Sequence, residues 1–324
     1  MDAIYQFGID LINSIQTLSP QLDGLMDIGS TIGLPEFFLV LIPFIYWNID
    51  RRVGIRAMFV MFYFDFINAS LKVLFHEPRP FWLGGVKDFG DAGAEGTYGL
   101  PSGHSGRTLA VAGYLATQVK RNWFWVIAVL FILLVGISRM YLGVHFPQDV
   151  LGGWLLAILV IWAVLKWEGV IRDWLADKSL STQVALGFLE ALGMVLIGFL
   201  VRFIVAGTPD PAEWSPYNAD ARTVTHFFTI AGAVFGAYAG YALMRQYARF
   251  DPKGSWGVRV IRFVVGIVGV LVIFYGLDIS FASLAADEST LGYIMRFIRY
   301  ATVTFGATFL APWLFLKTSL AEPE

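Results

Sequence analysis

The chain has 324 residues and a formal net charge of −2; 57% of its residues are hydrophobic and only 15% are charged, against ~25% charged in ordinary soluble domains. Its mean hydropathy is +0.64, and with no basic face it is no partner for nucleic acid. It has no cysteine, which excludes disulfides, thiol catalysis and cysteine-held metal.

Residues 1–33 contain no Lys or Arg and four Asp (Asp2, Asp10, Asp23, Asp27), unlike the basic start of a secretory signal. Ile4, Phe7, Leu11, Ile15 and Leu18 fall at helical spacing. They predict an amphipathic N-terminal helix, either lying at the membrane interface or packed as a cap on a bundle. A spanning helix needs ~20 mostly apolar residues. Nine stretches are candidates: 34–49, 54–75, 103–119, 123–141, 148–167, 182–205, 224–244, 259–281 and 290–316. The third is the most polar, with Ser102, His104, Ser105, Arg107 and Thr108 at its start. The expected fold is an all-α integral membrane protein with about nine transmembrane helices. The 1–33 segment precedes a five-span bundle core over 34–170, and four further spans over 171–324 pack on that core. The run "AGAVFGAYAGYA" over 231–242 reads as a small-residue packing face.

Basic residues favour cytoplasmic loops. With the N-terminus outside, Arg51, Arg52, Lys120, Arg121, Lys166, Arg172, Lys178, Arg245, Arg249, Lys253 and Arg259 all fall inside, as does the C-terminus. The acid-rich segments 207–221 and 282–289 fall outside. The exceptions are Lys72, Arg79, Lys87 and Arg139, which cluster in outer segments holding polar motifs, so function explains them better than topology does.

Three such segments open on that one face. "LKVLFHEPRP" ends the second span with Lys72 and Arg79. "LPSGHSGRT" starts the third with Ser102, Gly103 and His104. "GISRMYLGVHFPQDVLGGW" joins the fourth to the fifth with Arg139, His145 and Asp149. Lys72, Arg79 and Arg139 are cations, and arginine forks match phosphate oxygens. Ser102, Gly103 and His104 open a helix, whose free N–H groups and dipole favour an anion. Such a cage is strongest for a five-coordinate phosphoryl transition state. Pro147 suits a first helical turn, which sets Asp149 inside that turn and His145 just outside it. The carboxylate then holds one ring nitrogen of His145 and leaves the other to attack phosphorus. His104 protonates the departing oxygen and later takes a proton from water. This phosphohistidine route uses no metal and no cofactor.

The spacing Lys-x6-Arg-Pro, Pro-Ser-Gly-His and Ser-Arg-x5-His-x3-Asp resembles the tripartite signature of the type 2 phosphatidic acid phosphatase superfamily. The resemblance implies phosphate ligands at Lys72, Arg79, Ser102, Gly103 and Arg139, an acid at His104, a nucleophile at His145 and an orienting carboxylate at Asp149. Within the superfamily the motifs and nine-span topology are most similar to the glucose-6-phosphatases, including the stripe of Asp65, Asn68 and Lys72 in "YFDFINASLKVLF". The likeness is strong over 72–149; residues 168–324 and the loop 81–100 depart from it. It implies a metal-independent membrane phosphatase acting on a phosphomonoester or pyrophosphate at the non-cytoplasmic face of a bacterial inner membrane or endoplasmic reticulum. The expected partners are membrane lipids and a lipid phosphate such as phosphatidate, a prenyl (di)phosphate or a sphingoid phosphate. A soluble sugar phosphate is the alternative substrate, and a lipid phosphotransferase the alternative chemistry. A vanadium haloperoxidase shares the anion cage but not the spans. A lipid-phosphate receptor or transporter is the non-enzyme alternative.

Other polar residues carry two readings each. Asp65 is either structural, neutralising Lys72 or bonding to Asn68, or takes a direct part in catalysis. Arg107 reaches either the substrate or the loop acids Asp88, Asp91 and Glu95. Arg202, Arg296 and Arg299, three basic residues at one depth of the apolar spans, line a substrate vestibule or form interhelical pairs.

Overall fold

A computed structural model describes residues 3–87, 89 and 96–324, and among these the regular elements are helices. In chain order they are α1 (Ala3–Gln16), α2 (Asp23–Thr31), α3 (Pro35–Asn48), α4 (Arg51–Phe75), the short α5 (Pro80–Leu83), α6 (Gly103–Val119), α7 (Asn122–Tyr141), α8 (Pro147–Ala176), α9 (Leu180–Ile204), α10 (Thr225–Tyr247), α11 (Trp256–Ala282), α12 (Thr290–Phe305) and α13 (Ala311–Lys317). Every apolar stretch singled out from the sequence is helical. Among the described residues six helices are long and apolar enough to cross a membrane: α4 with its extension to Leu83, α7, α8, α9, α10 and α11. Taking α2 and α3, bent by 55° at their junction, as one broken span adds a seventh. The remaining two of the nine expected spans fall short for local reasons. α6 has 17 residues and opens on the polar motif. α12 stops at Phe305, where a π-helical turn, Gly306–Leu310, precedes α13.

Contacts divide the chain into two compact units. The first comprises 1–38, 63–165 and 200–223, and the second 39–62, 166–199 and 224–324. In the first unit α1 and α2 both pack on α7. Ile9 and Ile12 of α1 are buried against Phe146, and Gln16 Nε2 donates to the carbonyl of Tyr141 at 2.8 Å. Ile4 and Phe7 remain exposed on the opposite side. The N-terminal helix is thus packed as a cap on one face and keeps exposed apolar side chains on the other.

The second unit is built around α10 and α12, its most extensively packed helix pair. Gly232 and Gly236 of α10 lie against the backbone carbonyls of Phe297 and Ala301, where any Cβ would clash. The small-residue run therefore serves as the packing face expected for it. Pro312 cannot donate to the carbonyl of Thr308, and the π-helical turn just before it frees a second carbonyl. Tyr46 O–H and Trp47 Nε1 donate to Thr308 and Ala307 there, each at 2.9 Å, as membrane burial requires of any unpaired carbonyl. Buried Arg262 closes the far end by donating to the carbonyls of Trp47, Pro252, Lys253 and Leu320.

Candidate active site

All three motifs fall in the first unit. The last turns of α4 present Asp65, Asn68 and Lys72 along one face, and each meets a different part of the chain leading into α6. Arg107 Nε and Nη2 donate to Asp65 Oδ1 at 2.9 and 2.8 Å. Asn68 Nδ2 donates to the Pro101 carbonyl at 3.1 Å. Lys72 Nζ donates to the carbonyls of Tyr98 and Gly99. The Asp65–Arg107 pair gives Asp65 a structural partner that the sequence reading, which weighed Lys72 and Asn68, did not include. The helix spacing hid a partner 42 residues away. The loop acids offered to Arg107 (Asp88, Asp91 and Glu95) lie outside the described residues.

Arg79 precedes Pro80 with an extended backbone, φ −99° and ψ 157°, as a residue before proline should. Its guanidinium is fully buried. Nε donates to the Thr97 carbonyl at 2.6 Å and Nη2 to Thr97 Oγ1 at 3.0 Å. Nη1 donates to the Val144 carbonyl at 3.1 Å and lies 3.2 Å from His145 Nε2.

The third motif is a tight turn between α7 and α8. Gly143 takes φ +71°, a region open to glycine at no cost. The N–H groups of Val144 and His145 both bond to the Arg139 carbonyl, each at 3.2 Å. Pro147 begins α8 and Asp149 sits in its first turn. Asp149 Oδ2 accepts from the Phe146 N–H at 2.9 Å and lies 3.1 Å from His145 Nδ1. A carboxylate there fixes the proton on Nδ1 and turns Nε2 toward Arg79.

The second motif docks on the third through backbone. Ser102 N–H donates to the Asp149 carbonyl at 2.8 Å, and Ser102 caps α6 with an extended backbone. Its buried hydroxyl has no hydrogen-bond partner among the described residues. The α6 start comes this close because Gly106 and Gly153 face each other: a Cβ on Gly106 would lie 2.7 Å from the Gly153 carbonyl. His104, nearly buried, lies beside Gly33. Arg139 Nη1 donates to Ser30 Oγ at the end of α2. The structure thus joins Arg79, His145, Asp149 and Ser102 through direct contacts. Lys72 is tied to the same loop by the Tyr98 and Gly99 carbonyls. Gly103 and His104 sit at the α6 start next to Ser102. Among the described residues no group of three or more His, Asp or Glu side chains is placed to hold a metal ion.

The vestibule arginines are divided between the two units. Arg202 is exposed on α9, contrary to the buried position expected from its place in the apolar span. Arg296 and Arg299 belong to the second unit, paired with Asp287 and Asp278.

The sequence reading missed Thr97 and Ser30, the acceptors of Arg79 and Arg139, and a cluster anchored on Tyr98. Tyr98 O–H donates to Asp210, 2.7 Å from Oδ2. Arg222 donates from Nε to Tyr98 O at 2.7 Å and from Nη2 to Asp210 at 2.5 Å. Asn218 Nδ2 adds a bond to Asp210 at 2.7 Å. Burial pushes the Asp210 carboxyl up, but the bonds from Arg222, Tyr98 and Asn218 and the Arg222 charge outweigh it and hold it below the ordinary range. Burial and the Asp210 carboxylate push the Tyr98 phenol up. The cluster's one sequence signal was the acid-rich segment 207–221, which the topology reading assigned to the outer face.

A family model described as the PAP2 superfamily matches residues 54–173, and one described as the PAP2 superfamily phosphatase, transmembrane extension, matches 228–323. Glucose-6-phosphatase 3 of Bos taurus is 31% identical, with 99% of this chain and 98% of that protein covered. Sphingosine-1-phosphate phosphatase 1 of Rattus norvegicus is 24% identical over 89% of this chain and 70% of its own length. Lipid phosphate phosphatase delta of Arabidopsis thaliana is 24% identical over 90% and 71%. No solved structure matches the chain. The likeness therefore runs through 168–324, which the motif comparison alone had left weak.

Proposed function

Because this chain belongs to the PAP2 superfamily and is a membrane phosphatase, a phosphoric monoester hydrolase, we propose that it hydrolyses a lipid phosphate through a phosphohistidine on His145. The observation that carries this reading is the line Asp149–His145–Arg79, with Nδ1 3.1 Å from the carboxylate and Nε2 3.2 Å from the guanidinium. That line holds the imidazole with its attacking nitrogen beside a phosphate-binding cation. Lys72, Arg79, Ser102, Gly103 and Arg139 bind the phosphoryl oxygens, and His104 protonates the leaving oxygen. The chemistry needs no metal and no cofactor, and it takes place at the non-cytoplasmic face.

A lipid phosphate is favoured because Lys72, Arg139 and Asp149 lie in end turns of α4, α7 and α8, helices long and apolar enough to cross a membrane, which suits the level of a lipid phosphate in a bilayer. The sphingosine-1-phosphate and lipid phosphate phosphatases, each matched over about nine-tenths of this chain, support it. A sugar phosphate is the second reading, favoured by the end-to-end likeness to glucose-6-phosphatase 3. The test compares kcat/KM in detergent for phosphatidate, a sphingoid phosphate, a prenyl diphosphate and glucose 6-phosphate. The three lipids should lead, and turnover of glucose 6-phosphate alone overturns the lipid assignment. Labelled substrate should leave acid-labile phosphate on the wild-type protein and none on His145→Ala. Label retained on the variant overturns the phosphohistidine.

A further inference from the structure

The second unit contains a cavity of about 390 Å³ where α11 meets α12, lined by Asp278, Phe281, Asp287, Arg296 and Arg299 among others. Its size falls in the range of small-ligand sites, ~300–1,000 Å³. Arg299 is paired with Asp278, and Arg296 with Asp287 at 3.2 Å. Each guanidinium therefore already has a compensating carboxylate, and the cavity is close to neutral. A simple anion gains little there, because the acids repel it as strongly as the arginines attract it.

Two further observations point to a ligand. Nε of Arg296 and Nε of Arg299 are buried without any hydrogen-bond partner among the described residues, and the Arg299 side chain is only 10% exposed. Buried donors of this kind call for an acceptor. The carboxylates are the opposite case. Asp278 and Asp287 are 46% and 78% exposed, so each has an oxygen face turned outward. The cavity wall thus carries two guanidinium groups for an anion and two exposed carboxylates for a cation side by side, at the end of a helix long and apolar enough to cross a membrane. Ile279, Leu284, Leu291, Ile294 and Ile298 are exposed on the surrounding helix ends and turn, an apolar surround suited to acyl chains.

We propose that this cavity binds the headgroup of a zwitterionic phospholipid, with the phosphate on Arg296 and Arg299 and the ammonium on Asp278 and Asp287. The lipid is held and not turned over. The assignment is independent of the His145 chemistry.

The test uses the full chain in detergent with equimolar phosphatidylcholine, phosphatidylethanolamine, phosphatidylglycerol and phosphatidate of matched chains. Retained lipid is read by native mass spectrometry. Phosphatidylcholine and phosphatidylethanolamine should stay bound at collision energies that strip the two anionic lipids. Arg296→Gln with Arg299→Gln should reduce retained phosphatidylcholine at least about tenfold, the loss expected for charge-assisted bonds. Asp287→Asn, on the exposed rim, removes one of the two carboxylates of the ammonium site and leaves both arginines in place. It should shift retention toward phosphatidylglycerol, which keeps the test alive if the double variant does not fold. His145→Ala should retain phosphatidylcholine as wild type does, whatever happens to its phosphatase activity. Anionic lipid held as firmly as phosphatidylcholine by the wild type overturns the assignment. So does retention unchanged in the folded double variant, retention unshifted in Asp287→Asn, or retention lost in His145→Ala.

Discussion

Gly153→Ala perturbs the contact that brings the second motif onto the third. A Cβ at position 153 would lie 2.5 Å from the Ser102 carbonyl oxygen and 3.3 Å from Gly106 N. Ordinary contact begins at 3.4 Å, so the shortfall at Ser102 is about 0.9 Å, and backbone cannot rotate out of the way. The α6 start must back off from α8 by nearly that distance, and the 2.8 Å bond from Ser102 N–H to the Asp149 carbonyl is stretched with it. Ser102, Gly103 and His104 then retreat from His145 together. A misplacement of about 1 Å costs on the order of 10²-fold in rate, and overpacking costs roughly 1–3 kcal/mol in stability. The assay is kcat by phosphate release in detergent, with thermal unfolding of the same sample. Gly169→Ala, on the same helix, is the control: nothing lies within 4 Å of its added Cβ. It should keep kcat and gain about 0.5–1 kcal/mol from the better helix former. If folded Gly153→Ala turns over substrate like wild type, the helix contact does not set the catalytic geometry.

Three further outcomes are expected. His104→Ala should cut turnover of alkyl phosphates by about 10²–10⁴-fold and spare aryl phosphates, whose leaving groups need no proton; equal losses on both contradict the acid role. Asp210→Asn should flatten the acid limb of stability, read as melting temperature against pH. The Asp210 carboxyl sits below its ordinary value in the fold, so its contribution is complete above the unfolded value, about 3.9, and fades as pH falls through the folded one. Wild type should therefore lose more than the variant on going below about pH 4, and parallel curves refute the role. Arg107→Gln and Asp65→Asn should each cost about 3–5 kcal/mol, since each strands a largely buried charge, and the double variant should cost far less than their sum. Additive losses in denaturation midpoints show that the two side chains do not act as a pair.

What could be read from the chain divides along a physical line. The convergence of the motif segments was legible because the residue types expected for phosphoryl chemistry stand out in sequence: a guanidinium, an imidazole with a carboxylate four residues on, and a small cap at a helix start, which the fold joins through Arg79, His145, Asp149 and Ser102. The helices were legible because lipid requires long apolar runs, and each run became a helix. Acceptors were not legible. Lys72 donates to Tyr98 and Gly99, and Arg79 to Val144, through backbone carbonyls that every residue carries. Long-range partners were hidden for a related reason: Asp65 has Asn68 and Lys72 beside it on its own helix, but its ion pair is with Arg107 on another. Depth along a span was readable for Arg202, but the helix face it occupies was not, because that depends on neighbours far off in sequence. The same limit explains why α12 stops at Phe305 although the apolar run continues. Pro312 signals a break, but the place of the π-helical turn is set by Tyr46 and Trp47, which supply the missing hydrogen bonds from a distant helix. Residue chemistry therefore decides what a site can do, while the carbonyls and helix faces that aim it emerge only from the packed chain. Gly153 shows why this matters for rate: it has no chemistry of its own, yet the distance between the two histidine-bearing segments depends on its missing side chain.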